Sequence, residues 1–169
     1  MFRHVLTAMV VALSLSAPAF CQVAPPPAKS LSLAGPRFGV TSLSQGVVDK
    51  LAERSITVRP VITQFGWQTE RQFFTTDSGF SALNEWVLLL GGLEQGVALP
   101  SVSWLVGFRT REGAEIGVGP NITPAGVALA FAGGMTLRTG VVNVPMNVAV
   151  VPSHDGTRIS FLTGFTLRK

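Results

Sequence analysis

The chain has no tyrosine, one cysteine and few charges. Charged residues make up 13% of its 169 positions, about half the usual quarter. The lone Cys21 excludes an intrachain disulfide and a thiolate metal cluster. His154 is the only histidine beyond the N-terminal segment, and it has no partner at metal-ligand spacing. The basic residues are scattered, with no run and no interleaved aromatics, which argues against a nucleic-acid footprint. Long apolar runs are also missing. Beyond the N-terminus the longest blocks, Val127 to Ala132 and Trp86 to Leu90, are far short of the ~20 residues a membrane helix needs.

What is present is hydrophobicity in short, alternating pieces. Apolar residues make up 47% of the chain, with 18 glycines. In the C-terminal stretch, Val142, Val144, Met146, Val148 and Val150 alternate with Asn143, Pro145, Asn147 and Ala149. A second arm follows: Ile159, Phe161, Phe165 and Leu167 alternate with Ser160, Gly164, Thr166 and Arg168, while Leu162 and Thr163 break the pattern. Period-2 alternation marks a strand with one apolar and one polar face. Asp155-Gly156, within a Pro/Ser/His cluster, supplies the turn. Pro145 conflicts with a mid-strand position and calls for a local bulge.

Residues 1–21 read as a secretory signal peptide: Arg3 and His4, an apolar stretch from Val5 to Leu15, then Ala17-Pro18-Ala19 or Ala19-Phe20-Cys21 as cleavage signal. Cleavage is expected before Phe20 or Gln22, with a lipidated Cys21 as an alternative. Residues 22–34, with Pro25-Pro26-Pro27, read as a stiff linker. Residues 35–169 form the domain. The expected strands are Pro36–Ser44, Val61–Thr75, Leu83–Leu90, Ser101–Thr110, Ala114–Asn121, Val127–Arg138 and the two arms of the C-terminal hairpin. Gln45–Arg59 is expected to be a solvated loop with one helical turn, and Gly91–Pro100 a glycine-rich loop.

One face of every strand is large and apolar; the other is mostly small or polar, with a few charges. Segments such as GFRTREGAEIGVGPN and VNVPMNVAVVPSHDGTRISFLTGF, and the final Gly164-Phe165 with Leu167, resemble the small outer-membrane β-barrel proteins of Gram-negative bacteria. The ending Arg168-Lys169 and the lack of tyrosine depart from that pattern. The resemblance implies an all-β, eight-stranded antiparallel up-and-down barrel with a narrow, filled interior, in the outer membrane. It also implies contact with outer-membrane lipid and with the barrel assembly machinery during insertion. The expected role is structural, or recognition of an extracellular ligand through loops 45–59 and 91–100, with no catalytic residue, metal or cofactor.

By parity Arg37, Glu70, Glu85, Arg109, Glu115, Arg138 and Arg168 fall on the small-residue face, where they would form an interior charge network of structural ion pairs. Two rival readings remain. One is a secreted or periplasmic all-β protein binding an apolar ligand. The other is a lipid-modifying barrel enzyme using His154, but three successive turn residues, Ser153-His154-Asp155, rarely converge as a catalytic set.

Overall fold

The computed structural model describes residues 32–139 and 142–168, apart from the side chains of residues 138, 139, 167 and 168. The proposed signal peptide lies outside these residues.

The strands are β1 (Ser32–Leu43), β2 (Val61–Thr75), β3 (Ser81–Gly91), β4 (Leu99–Arg109), β5 (Ala114–Thr123), β6 (Gly126–Thr139), β7 (Val142–Ser153), β8 (Gly156–Gly164) and β9 (Thr166–Arg168). A helix, α1 (Gln45–Glu53), follows β1, and a 3₁₀ turn (Leu93–Gln95) precedes β4. Each strand from β1 to β7 pairs antiparallel with the next, and β1 pairs with both β2 and β8. The sheet therefore closes on itself. β9 continues β8 on the same partners in unchanged register, so the closed structure is an eight-stranded up-and-down barrel. Ser32, Leu33 and Ala34, read above as linker, belong to β1.

Closure brings backbones close where inward side chains are missing. A Cβ at Gly39 of β1 would stand 1.9 Å from the Phe161 carbonyl oxygen of β8, so only glycine fits at this seam. Pro145 is accommodated without the expected bulge. The β7 ladder keeps one register from Asn143↔Thr166 to Met146↔Thr163 and merely lapses between them, opposite Gly164 and Phe165. Pro36 flanks the same point from β1. Two residues without an N–H thus face the last strand from either side, and that is where it is interrupted.

Leu162 and Thr163 do not break the alternation. Leu162 is buried inside, and its neighbours Phe161 and Thr163 point out. The parity is intact; only the residue chemistry is exchanged. Outward positions carry large apolar side chains around the whole circumference, among them Phe38, Phe65, Trp86, Trp104, Val118, Phe131, Val148 and Phe161. Among the described strand residues, Arg71 is the one charged side chain on this face. The Trp104 indole donates to Asn84 Oδ1 at 2.7 Å and stacks on Trp86, so its polar edge is satisfied on the barrel wall.

Gln45–Arg59 contains more than one helical turn. Val47 and Leu51, one turn apart, form the apolar stripe of α1. They pack with Leu43, Val58, Ile62 and Leu99 over one mouth of the barrel. A nine-residue helix is unstable alone; burying two such side chains contributes about 1.5–3 kcal/mol each. Gly46 lets the helix backbone reach the 154–155 turn, since a Cβ there would lie 2.0 Å from the Asp155 carbonyl oxygen. The Ser44 hydroxyl accepts the Thr157 N–H at 2.9 Å, joining the start of α1 to β8.

Candidate functional site in the barrel interior

The lumen has two halves of different chemistry. At the end away from α1, β4 and β5 are joined by a tight turn at 110–113, which sets Arg109 directly opposite Glu115. Both point inward by parity. Arg109 Nε donates to Glu115 Oε1 at 2.8 Å, and Nη1 and Nη2 donate to the two Glu70 oxygens at 2.5 Å each. The Thr136 hydroxyl also donates to Glu115. This forked geometry suits a guanidinium. One cation thus ties together three strands.

Arg37 forms a separate node. Its Nε donates to Gln68 Oε1 at 2.5 Å, Nη1 to the Pro145 carbonyl at 3.2 Å and Nη2 to Asn147 Oδ1 at 3.1 Å. Glu85 pairs with Glu70 along the backbone and lines the lumen beside Arg37, but makes no hydrogen bond or ion pair among the described residues. Five of the seven expected network members therefore face the interior: Arg37, Glu70, Glu85, Arg109 and Glu115. The side chains of Arg138 and Arg168 lie outside the described residues.

The half nearer α1 is richer in apolar groups: Leu43, Val47, Leu51, Leu99, Leu105 and Val151 line it beside the hydrogen-bonded pairs Thr41–Gln64 and Asn121–Ser101. Here the lumen is not filled as expected: a cavity of about 90 Å³ remains. At its edge lies Arg158, a buried cation that the sequence reading missed. The signal is its parity, shared with Ser160 and Gly164, which places Arg158 on the inward face just before the first apolar residue of the second arm, Ile159. Among the described residues, ion pairs crowd the lumen at one end and the docked helix covers it at the other. Reconstituted in planar bilayers, the protein is expected to show no steady conductance; reproducible large single-channel steps would contradict this expectation for an eight-stranded barrel.

Outside the lumen, the two long connections at the α1 end form one surface. Gln95 Oε1 accepts from the Arg59 N–H at 2.6 Å, and Gln95 Nε2 donates to the Val61 carbonyl at 2.7 Å. Glu94 accepts from the Thr63 N–H at 2.9 Å and its hydroxyl at 2.5 Å. These bonds to Thr63 hold the Glu94 pKa down to about 2. A depressed carboxylate stabilises the fold fully above its unfolded value of about 4.3, and that contribution fades as pH falls from there through the folded value. The protection of the Thr63 amide, its exchange rate relative to the intrinsic rate at each pH, is therefore expected to step down on acidification across that window. In Glu94→Gln the step should vanish; a step unchanged in the variant would remove Glu94 as its source.

His154 stands fully in solvent, 3.9 Å from Asp155, while the Ser153 hydroxyl donates to the Gly156 carbonyl at 2.7 Å. The three residues serve the turn and show no nucleophile–base hydrogen bond.

A closed eight-stranded barrel with an apolar outer wall and a paired polar interior has the architecture of the small outer-membrane barrels. Among solved structures, it is similar to the crystal structure of Ail, the attachment invasion locus protein of Yersinia pestis. The TM-score is 0.53 at 10% identity, over 83% of this chain and 97% of that one. A structure of the same protein in complex with the heparin analogue sucrose octasulfate aligns at a TM-score of 0.49 and 11% identity, with the same coverage. At such identity the likeness is one of fold. No family model and no curated protein sequence matches the chain.

Proposed function

We propose that this protein is a bacterial outer-membrane barrel, not an enzyme, that presents the surface built from α1, residues 54–60 and residues 92–98 outside the cell for recognition. The observation that carries this reading is the outward wall. Water-facing sheets avoid unbroken belts of Phe, Trp, Leu and Val, and apolar patches beyond a few hundred Å² mark contact with lipid or protein. Here the belt encircles a barrel with no free sheet edge, which suits lipid on all sides. Arg71 lies toward the 76–80 turn, where a long side chain reaches the headgroups. The same wall disfavours a soluble periplasmic protein.

Strand parity then sets the topology. With both chain ends in the periplasm, the α1 end faces outward and presents Lys50, Arg54 and Arg59. Trypsin added to intact cells should cut at these residues and leave the strands protected, and the protein should stay in the outer-membrane fraction until detergent is added. Release by osmotic shock, or cleavage only after lysis, would refute the reading.

A further inference from the structure

We propose that the cavity beneath α1 binds a short-chain monocarboxylic acid, with its carboxylate on Arg158 and its chain against the apolar wall. The interior cations differ in how they are satisfied. Arg109 is neutralised by Glu70 and Glu115, and Arg37 is hydrogen-bonded through three nitrogens. Arg158 is only 6% exposed. Among the described residues its one hydrogen bond goes to the Thr123 hydroxyl, no carboxylate pairs with it, and its Nε has no partner. A buried, unpaired charge is costly, and the missing complement is an anion with two oxygens to meet the guanidinium fork.

The surroundings define the rest of the ligand. The free wall of the cavity at Arg158 is mostly apolar, with Val47, Leu51, Leu99, Leu105 and Val151 matching an alkyl chain, while polar neighbours such as Thr41, Gln64, Ser101 and Asn121 are hydrogen-bonded to one another. Its volume is about 90 Å³; by the same measure one water needs about 10–15 Å³, so the space holds roughly six to nine water-sized groups. That is the bulk of a short acid, and it excludes a full lipid chain. A single free guanidinium suits one negative charge better than a phosphate monoester. α1 would close over the bound molecule. The inference rests on the lumen alone and holds whatever medium surrounds the barrel.

The test uses the full chain in lipid nanodiscs, with hexanoate as probe and hexanol as the uncharged control. Hexanoate is expected to raise the unfolding midpoint saturably, as a ligand of the native state must, and hexanol to act only weakly and without saturation. Arg158→Met should weaken hexanoate binding by about tenfold to a hundredfold, the worth of a charged hydrogen bond. Ala130→Leu keeps the guanidinium but fills the cavity from an inward, buried position, and should abolish the response; it keeps the test decisive if Arg158→Met fails to fold. No saturable shift with hexanoate, equal shifts with hexanol, an undiminished affinity in folded Arg158→Met, or a response retained in Ala130→Leu would overturn the proposal.

Discussion

Arg109→Met is expected to lower the unfolding free energy by about 3–5 kcal/mol, the usual cost of removing one partner from a buried ion pair. The substitution keeps the apolar stem and removes the one cation that, among the described residues, is bonded to both Glu70 and Glu115. Two enclosed carboxylates would then face each other, with Glu85 close by. A pairing of Arg109 with Glu115 alone would make Glu115→Ala the damaging change, with recovery once Arg109 is also removed; the bond to Glu70 gives a different order. Glu115→Ala leaves Arg109 its two-pronged bond to Glu70, so its loss should be the smaller. Glu115→Ala/Arg109→Ala should not recover, because it strands Glu70. Recovery is expected only in Arg109→Met/Glu70→Gln/Glu115→Gln, where all three charges of this cluster are removed together. Urea unfolding in phospholipid vesicles, followed by tryptophan fluorescence, orders the four variants. An Arg109→Met protein within about 0.5 kcal/mol of the parent, the range of surface changes, would mean that this interior is wet.

Phe131→Arg carries the second large effect. Phe131 lies midway along β6, is 50% exposed and points out of the barrel. In lipid, a basic residue near the bilayer midplane costs about 2–4 kcal/mol. In water the same change on the same wall is a surface substitution of about 0.5 kcal/mol or less. An open sandwich would have confounded this comparison, because there the apolar face is the core and a charge is harmful in either medium. Closure removes that ambiguity. A fold unchanged by Phe131→Arg would place the outer wall in water and sink the membrane assignment.

The strands, their number and most of their boundaries were legible in the sequence. Val61–Thr75 was expected and is found as β2. Side-chain direction in a strand is a local property with a period of two residues, so alternation alone sorted Arg37, Glu70, Glu85, Arg109 and Glu115 onto one face. It also set Arg109 near Glu115, since a tight turn fixes the register across it. The same parity would have placed Arg158 and Leu162, had it been followed through residues whose chemistry did not fit the pattern.

Contacts between distant residues were not legible. Arg109 meets Glu70 across 39 positions and Arg37 meets Asn147 across 110. Such meetings depend on the stagger accumulated around a closed sheet, to which every strand pair contributes. The length of α1 was underestimated because its stability comes from docking Val47 and Leu51 on the mouth. The lapse at Pro145 shows the same limit: a missing donor is visible locally, but only the fold shows that Pro36 faces the same break from the opposite neighbour. The sequence by itself determined that each strand has an apolar and a polar face. Which of those faces became the outside was decided by tertiary structure, because an identical alternation builds a sandwich core when two sheets stack and an apolar exterior when one sheet closes on itself.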